Sequence, residues 1–122
     1  MANKTIVVLG SGNADHVLDV PSIPAHGETI AGSNYRVVAG GKGANQAVAC
    51  ARLGGATQFL ACVGDDAEGS AAIKSLAADT GETSCIGVGA NARTGVALIF
   101  VNREGENCIG ISAEANADLT PQ

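Results

Sequence analysis

The sequence predicts an α/β fold: a mainly parallel sheet carrying helices, with a second, smaller sheet set apart from it. Three observations predict this. Two short apolar runs, at 5–10 and 56–64, read as buried strands. Helical patterns at about 43–53 and 65–81 alternate with them. Extra strand pairs, one within about 16–40 and one in a hairpin at 94–115, each lack a helix between their members, so they argue for a second, smaller sheet.

Each element has its own signal. TIVVLG (5–10) is an apolar run closed by glycine. HVLDVPSIPAHG (16–27) alternates weakly, and Pro21 and Pro24 exclude a helix or a central strand, which predicts an edge strand running into a turn. ETIAGSNYRVVAG (28–40) reads as a further strand with a turn or bulge at 32–34. In the first helix Ala44, Ala47, Val48 and Ala51 follow the i, i+3, i+4, i+7 spacing. Arg52 suits its last turn, and Gly54 suits the position after its end. ATQFLACVG (56–64) is a second buried strand. The second helix opens on Asp65 or Asp66 as cap and closes at Gly81. A short extended piece at 83–89 leads to the hairpin, with arms at 96–101 and 107–111 and the turn NREGE at 102–106. Near residue 122, Thr120 as cap and Pro121 in a first helical position announce another helix, as expected of a segment of something longer.

Composition narrows the function. The 122 residues suit one domain with a modest core, 46% hydrophobic but rich in alanine and glycine. Twelve acidic against seven basic residues give a net charge of −5, which repels phosphate backbones. Tyr35, Phe59 and Phe100 are the aromatic residues, too few for a base-stacking platform, so nucleic acid is not an expected partner. No apolar run reaches the roughly 20 residues of a membrane span. The start MANKTIVVLG lacks the pattern of a secretory signal, so a cytoplasmic location is expected. The four cysteines (50, 62, 85 and 108) form no Cys-x-x-Cys, and no zinc site is indicated; Cys50 and Cys62 read as small core residues.

The glycine-rich AGGKGAN around Gly41, Lys42 and Gly43 sits where a helix begins. A P-loop would need a glycine at position 36, where Arg36 stands, and Ser or Thr after the lysine, where Gly43 stands. GSGNAD (10–15) approaches a dinucleotide fingerprint. Asp15, however, replaces its third glycine, and a proline-broken segment follows in place of a helix, which disfavours a dinucleotide-dependent reductase. A site for a small, uncharged polar ligand fits better. Backbone N–H groups at the helix start, the Asn45 amide, and Asn13 and Asp15 just past the first strand form a set suited to vicinal hydroxyls. The competing structural reading gives Asp15 a turn to cap, leaves Asn45 in solvent, and gives the glycines close packing alone.

VVLGSGNADHVLDVPSIPAHGET, AGGKGANQAVACARLG, CVGDD and TGVALIFVNREGENCIGISAEAN together resemble the N-terminal part of the ribokinase-like (PfkB) family of sugar and nucleoside kinases. The pairing of NAD at 13–15 with GGKGAN points to its ribose-phosphorylating branch. The resemblance implies a partial domain over 1–122: the N-terminal half of a doubly wound, mainly parallel sheet. A small β lid would be inserted as strands at about 16–20, 28–37 and 94–111. It implies transfer of the ATP γ-phosphate to the 5-hydroxyl of ribose, with magnesium and potassium, and dimers made by clasped lids. Carried over by position, Asn13, Ala14 and Asp15 hold sugar hydroxyls. Gly41, Lys42, Gly43, Ala44 and Asn45 bind the other side of the ring, and Ile99 and Ile111 give apolar lid contact. The family's catalytic base, ATP pocket and potassium site match nothing in these residues, so no catalytic residue, metal or ATP is assigned to this chain. One departure is local: Glu114-Ala-Asn116 stands where relatives often carry Gly-Ala-Asn. Two readings follow, a sugar-site segment inactive alone and a self-associating structural segment that binds no sugar.

Overall fold

The structure is a computed structural model and describes residues 4–121. The chain runs β1 (Thr5–Leu9), β2 (Asn13–Asp19), β3 (Ser33–Gly40), α1 (Lys42–Arg52), β4 (Ala56–Gly64), α2 (Ala67–Thr80), β5 (Ile86–Gly89), β6 (Gly95–Val101), β7 (Asn107–Ser112) and a 3₁₀ turn, Glu114–Asp118. Two sheets result, as predicted. The body sheet is parallel, in the order β1-β4-β5. The lid sheet is mixed, in the order β3-β2-β6-β7, with β2 and β6 parallel and the outer pairs antiparallel.

Period-2 alternation on β4 builds the core. Thr57, Phe59, Ala61 and Val63 are all buried on one face. Val8, Ile86, Ala44 and Ala47 of α1 and Leu76 of α2 complete the cluster. The alanines matter physically, because a helix that presents methyl groups can approach the sheet closely. Phe59, 2% exposed, is then the large side chain that fills the middle. Cys62 is buried as expected, whereas Cys50 is half-buried on the flank of α1.

The structure corrects three expectations. First, β2 is not an edge strand. It ends at Asp19, before Pro21, and lies between β3 and β6, so the prolines never enter the ladder. Second, β3 begins at Ser33, not 28. Asn34 there takes a left-handed φ of 53° beside the register shift between Val17 and Asp19, so the expected bulge is present. Third, both helices cover the same face of the body sheet. The opposite face carries the 3₁₀ turn against β4, and Val7 and Leu9 stay exposed there. The helix start read at Thr120 and Pro121 falls at the end of the described residues, and a helix beginning there would lie outside them. Gly54, Gly81 and Gly105 adopt the positive φ expected of them, at 89°, 69° and 81°.

Asp66 does more than cap α2. Its Oδ1 accepts from Gly69 N–H (2.7 Å) and from the Thr94 hydroxyl (2.6 Å), and its Oδ2 accepts from Thr94 N–H (2.8 Å). Thr94 Oγ1 in turn accepts from Gly64 N–H at 3.1 Å. One carboxylate therefore joins the end of β4, the start of α2 and the start of β6. Burial pushes the Asp66 carboxyl up, but the bonds from Thr94 and Gly69 together outweigh it and hold it below the usual carboxylate range.

The Glu114 departure also has a visible consequence. Glu114 sits at φ 46°, the left-handed region that glycine occupies without strain. Relief of that strain is worth about 1–2 kcal/mol, against about 0.5–1 kcal/mol of extra unfolded-chain entropy for glycine. Glu114→Gly is therefore expected to stabilise the chain by up to about 1 kcal/mol, read as a rise in the urea midpoint at unchanged slope. A lower midpoint would show that the exposed Ser112–Glu114 bond (2.6 Å) outweighs the strain.

Candidate functional site

A cleft of about 290 Å³ opens where the lid meets the body. Its wall includes Asn13 and Asp15 of β2, Gly41, Lys42 and Asn45 at the start of α1, and Ile99 and Ile111 of the hairpin. These are seven of the ten residues expected from the sequence. Asn13 and Asp15 lie past the first strand, as read, and open the second, β2, where their spacing of two puts both on the cleft face. The same rule turns Ala14 away, and it is buried at 6% exposure. Gly43 and Ala44 are also buried, against the β1–β2 connection and in the core.

The glycines divide the work differently from the sequence reading. Gly41 has φ 99°, and a Cβ there would lie 2.5 Å from the Ser11 carbonyl oxygen. A Cβ at Gly43 would lie 2.7 Å from the Gly10 backbone. Both residues let α1 press against the β1–β2 connection. Part of the helix start is consumed by that contact, since Ala44 N–H donates to Ser11 O at 3.0 Å. The close-packing role is thus real for Gly43, while Gly41 lines the cleft as well. No helix opens at 10–15, where β2 begins instead, so a pyrophosphate there would lack a helix terminus.

Asn116 is a site residue that the sequence reading passed over. Its Nδ2 donates to Asn13 Oδ1 at 2.8 Å, and its Oδ1 accepts from Gly12 N–H at 3.0 Å. Asn13 is thereby oriented, with its own amide NH₂ left as a donor. The signal was present in the EAN stretch, where attention went to Glu114. Ile109 also lines the cleft; its spacing of two from Ile111 on β7 puts both on one face. Burial pushes the Asp15 carboxyl above its usual value of 3.8, with His16 pulling part of the way back. The arrangement offers an acceptor carboxylate, amide donors and an apolar wall. Larger hollows of about 450 and 640 Å³ lie between the lid and α2 and on the bare body face, but alanine or leucine dominates their walls.

The architecture is a parallel α/β body with a mixed sheet standing over a polar cleft. The chain belongs to the pfkB family of carbohydrate kinases, whose family model matches residues 3–122. It is 58% identical over 66 residues to the ribokinase of Haemophilus influenzae, covering 54% of this chain and 22% of that protein. It is 46% identical over 70 residues to the ribokinase of Bacillus subtilis, covering 57% and 24%. Among solved structures, the ribokinase of Giardia lamblia superposes with a TM-score of 0.87 at 39% identity, over 98% of this chain and 36% of that one. The ADP complex of ribokinase from Cryptococcus neoformans gives 0.86 at 35% identity, over 93% and 36%. The chain thus spans little more than a third of the solved relatives, and the expected fold, the N-terminal portion of this family's α/β architecture with a second sheet, is the one found.

A carboxylate whose folded pKa is raised holds its proton more tightly folded than unfolded. Its ionisation therefore weakens the fold as pH climbs from 3.8 through the raised value. Asp15→Asn is expected to raise the melting temperature at pH 7 and to change it little near pH 3. An equal change at both pH values would show that charge at Asp15 is not the cause.

Proposed function

We propose that this chain carries the lid and one wall of the ribose site of a ribose kinase, and that alone it binds sugar without transferring phosphate. The observation that carries the reading is the convergence of Asn13, Asp15, Gly41, Asn45 and Asn116 on one cleft faced by Ile99, Ile109 and Ile111. Relatives that match at 46–58% identity and are named ribokinase support it. At about 290 Å³ the cleft falls at the small end of ligand pockets, which favours a monosaccharide. In this role Asp15 accepts from sugar hydroxyls, the Asn13 amide donates, and Asn45 can do both. The helix start offers further N–H groups beside Gly41 and Lys42, and the isoleucines cover the apolar face of the ring. In the whole enzyme, magnesium-bound ATP and potassium would supply and activate the phosphoryl group at the 5-hydroxyl of ribose. Catalysis of that step is mainly positioning and charge stabilisation around the γ-phosphate, and we assign those parts to sequence beyond this match. The cytoplasm is the compartment we favour, in keeping with four free thiols. No helix of the described residues is long and apolar enough to cross a membrane.

Calorimetric titration with ribose tests the site. Asp15→Ala is expected to weaken binding at least tenfold, since a hydrogen bond to a charged group is worth about 1.5–3 kcal/mol. Asp66→Ala should chiefly lower stability and weaken binding less than Asp15→Ala does, since Asp66 anchors β6 but does not line the cleft. The same preparation given ribose, magnesium-bound ATP and potassium should release no ADP in a coupled assay. A parent that binds no ribose, or turnover that scales with this polypeptide, would overturn the reading.

Self-association is the second part of the proposal, and it alone survives in the structural reading without sugar. Tyr35, Val37, Leu98, Ile109 and Ile111 expose large apolar surface on the lid, and Val7 and Leu9 do so on the body. We place the lid strands at 28–37 and 94–111 in one homodimer interface and the exposed edge of the body sheet in a second. Light scattering at micromolar concentration should give a dimer or a larger assembly; a stable species of monomer mass would refute this.

A further inference from the structure

β2 presents opposite faces to two neighbours. Asn13 and Asp15 face the cleft, while His16 reaches the other way, to α2. His16 Nδ1 lies 2.6 Å from the Tyr35 hydroxyl on β3, and Nε2 lies 3.0 Å from Glu68 Oε1 in the first turn of α2. A carboxylate can only accept, so Nε2 carries a hydrogen and donates to Glu68. In the neutral ring Nδ1 is then an acceptor, and the Tyr35 hydroxyl donates to it. Each group has one role, and the chain of bonds runs Tyr35 to His16 to Glu68, from lid to body. The His16 side chain is 21% exposed, so the bridge is partly sheltered from water.

The position of this bridge gives it its meaning. The other ties between lid and body cluster at the cleft end of the lid strands. Thr94 meets Asp66 where β6 begins, Asn116 meets Asn13 where β2 begins, and Gly40 leads into α1 where β3 ends. Ties gathered at one end locate a sheet but leave its tilt free. His16 lies three residues further along β2, about 10 Å at 3.3 Å per residue. A second tie at that distance removes the rotation. Asp15 lies between the two, with Asn13 held by Asn116 on one side and His16 held by Glu68 on the other.

We infer that His16 is a positioning residue: through Glu68 and Tyr35 it fixes the tilt of the lid on α2 and so holds the Asp15 carboxylate in the cleft. The inference rests on the proposal that Asp15 receives sugar hydroxyls. It makes α2 part of the sugar site although no α2 residue lines the cleft.

Amide hydrogen exchange on the full chain reads the tilt without any sugar. His16→Ala and Glu68→Ala should each speed exchange in β2 and β3 roughly tenfold, as loss of one hydrogen bond to a charged group predicts, and leave β4 at the parental rate. His16→Gln, which keeps a donor toward Glu68, should recover most of the protection. The double variant should be no faster than either single one, because both remove one bridge. Unchanged exchange in β2, or equal acceleration in β4, would overturn the inference. If His16→Ala fails to fold, Tyr35→Phe, which removes one exposed hydroxyl, carries the same test with a smaller expected rise. In ribose titrations His16→Ala and Glu68→Ala should each raise Kd about tenfold. Faster lid exchange with unchanged affinity would also overturn it, since the tilt would not reach Asp15. A parent that binds no ribose would sink the proposed function and leave the exchange result standing.

Discussion

The structure hangs on the junction between Asp66 and Thr94. Thr94 is fully buried, and its hydroxyl and N–H both donate to the same carboxylate that caps α2. Without that junction β6 has no fixed origin, and β6 is the strand on which both β2 and β7 are paired. This junction is thus one of the points from which the body positions the lid sheet, with the Asn116–Asn13 bond, the passage of β3 into α1 and the His16–Glu68 pair as the others. The crowding there is severe: a Cβ at Gly64 would lie 2.4 Å from the Arg93–Thr94 backbone, so only glycine lets β4 end so close to the start of β6. Asp66 is half-buried, and each hydrogen bond to its charge is worth about 1.5–3 kcal/mol, so loss of any one of the three loosens the origin of β6.

The cleft is a consequence of the same geometry. With β6 pinned, β2 is brought parallel to it in the register Asn13↔Gly95 and Asp15↔Ala97, and the Asn13–Asp15 face meets the start of α1. Two kinds of carboxylate result. Asp66 is saturated by protein donors and held below its usual range, whereas Asp15 is partly buried without such donors and is pushed up. The first stabilises the fold. The second is a cost to the fold, which is the expected signature of a group kept for a ligand rather than for stability.

Local pattern carried most of the fold. The boundaries of β4 at 56–64 were legible because an apolar run lies between Gly55 and Asp65. The end of α2 was legible at Gly81, and the lid turn at Gly105. Pro21 misled, because it bars a strand only where it sits, and β2 stops two residues earlier. The partners of β2 are β3 and β6, and β6 lies some eighty residues away, a distance over which no local signal speaks. Of the site, the residues that carry chemistry by type, Asp15, Asn13 and Asn45, could be picked out. Ala14, Gly43 and Ala44 could not be separated from them, because facing depends on strand register and helix docking. Asn116 and His16 were hidden for the same reason: each acts through a partner more than fifty residues away, Asn13 in one case and Glu68 in the other.

The body sheet is finished on one face only. Phe59, Val63 and Leu76 are sealed beneath α1 and α2, while Val7 and Leu9 on the far side of β1 are 56% and 67% exposed. Parallel sheets are ordinarily covered on both faces, and full burial of a Val or Leu side chain is worth about 1.5–3 kcal/mol. Two such residues therefore leave several kcal/mol of possible burial unused, a sum comparable with the net stability of a small domain. Meanwhile the lid adds four strands whose cleft face exposes Ile109 and Ile111. The folded chain thus places its unspent apolar surface in two separate locations, one beneath the body and one beside the Asn13–Asp15 cleft. Covering the first would stabilise the platform without touching the cleft. Covering the second would close over Asp15 itself, so whatever meets the lid face also sets how dry the carboxylate becomes and how strongly it holds a hydroxyl.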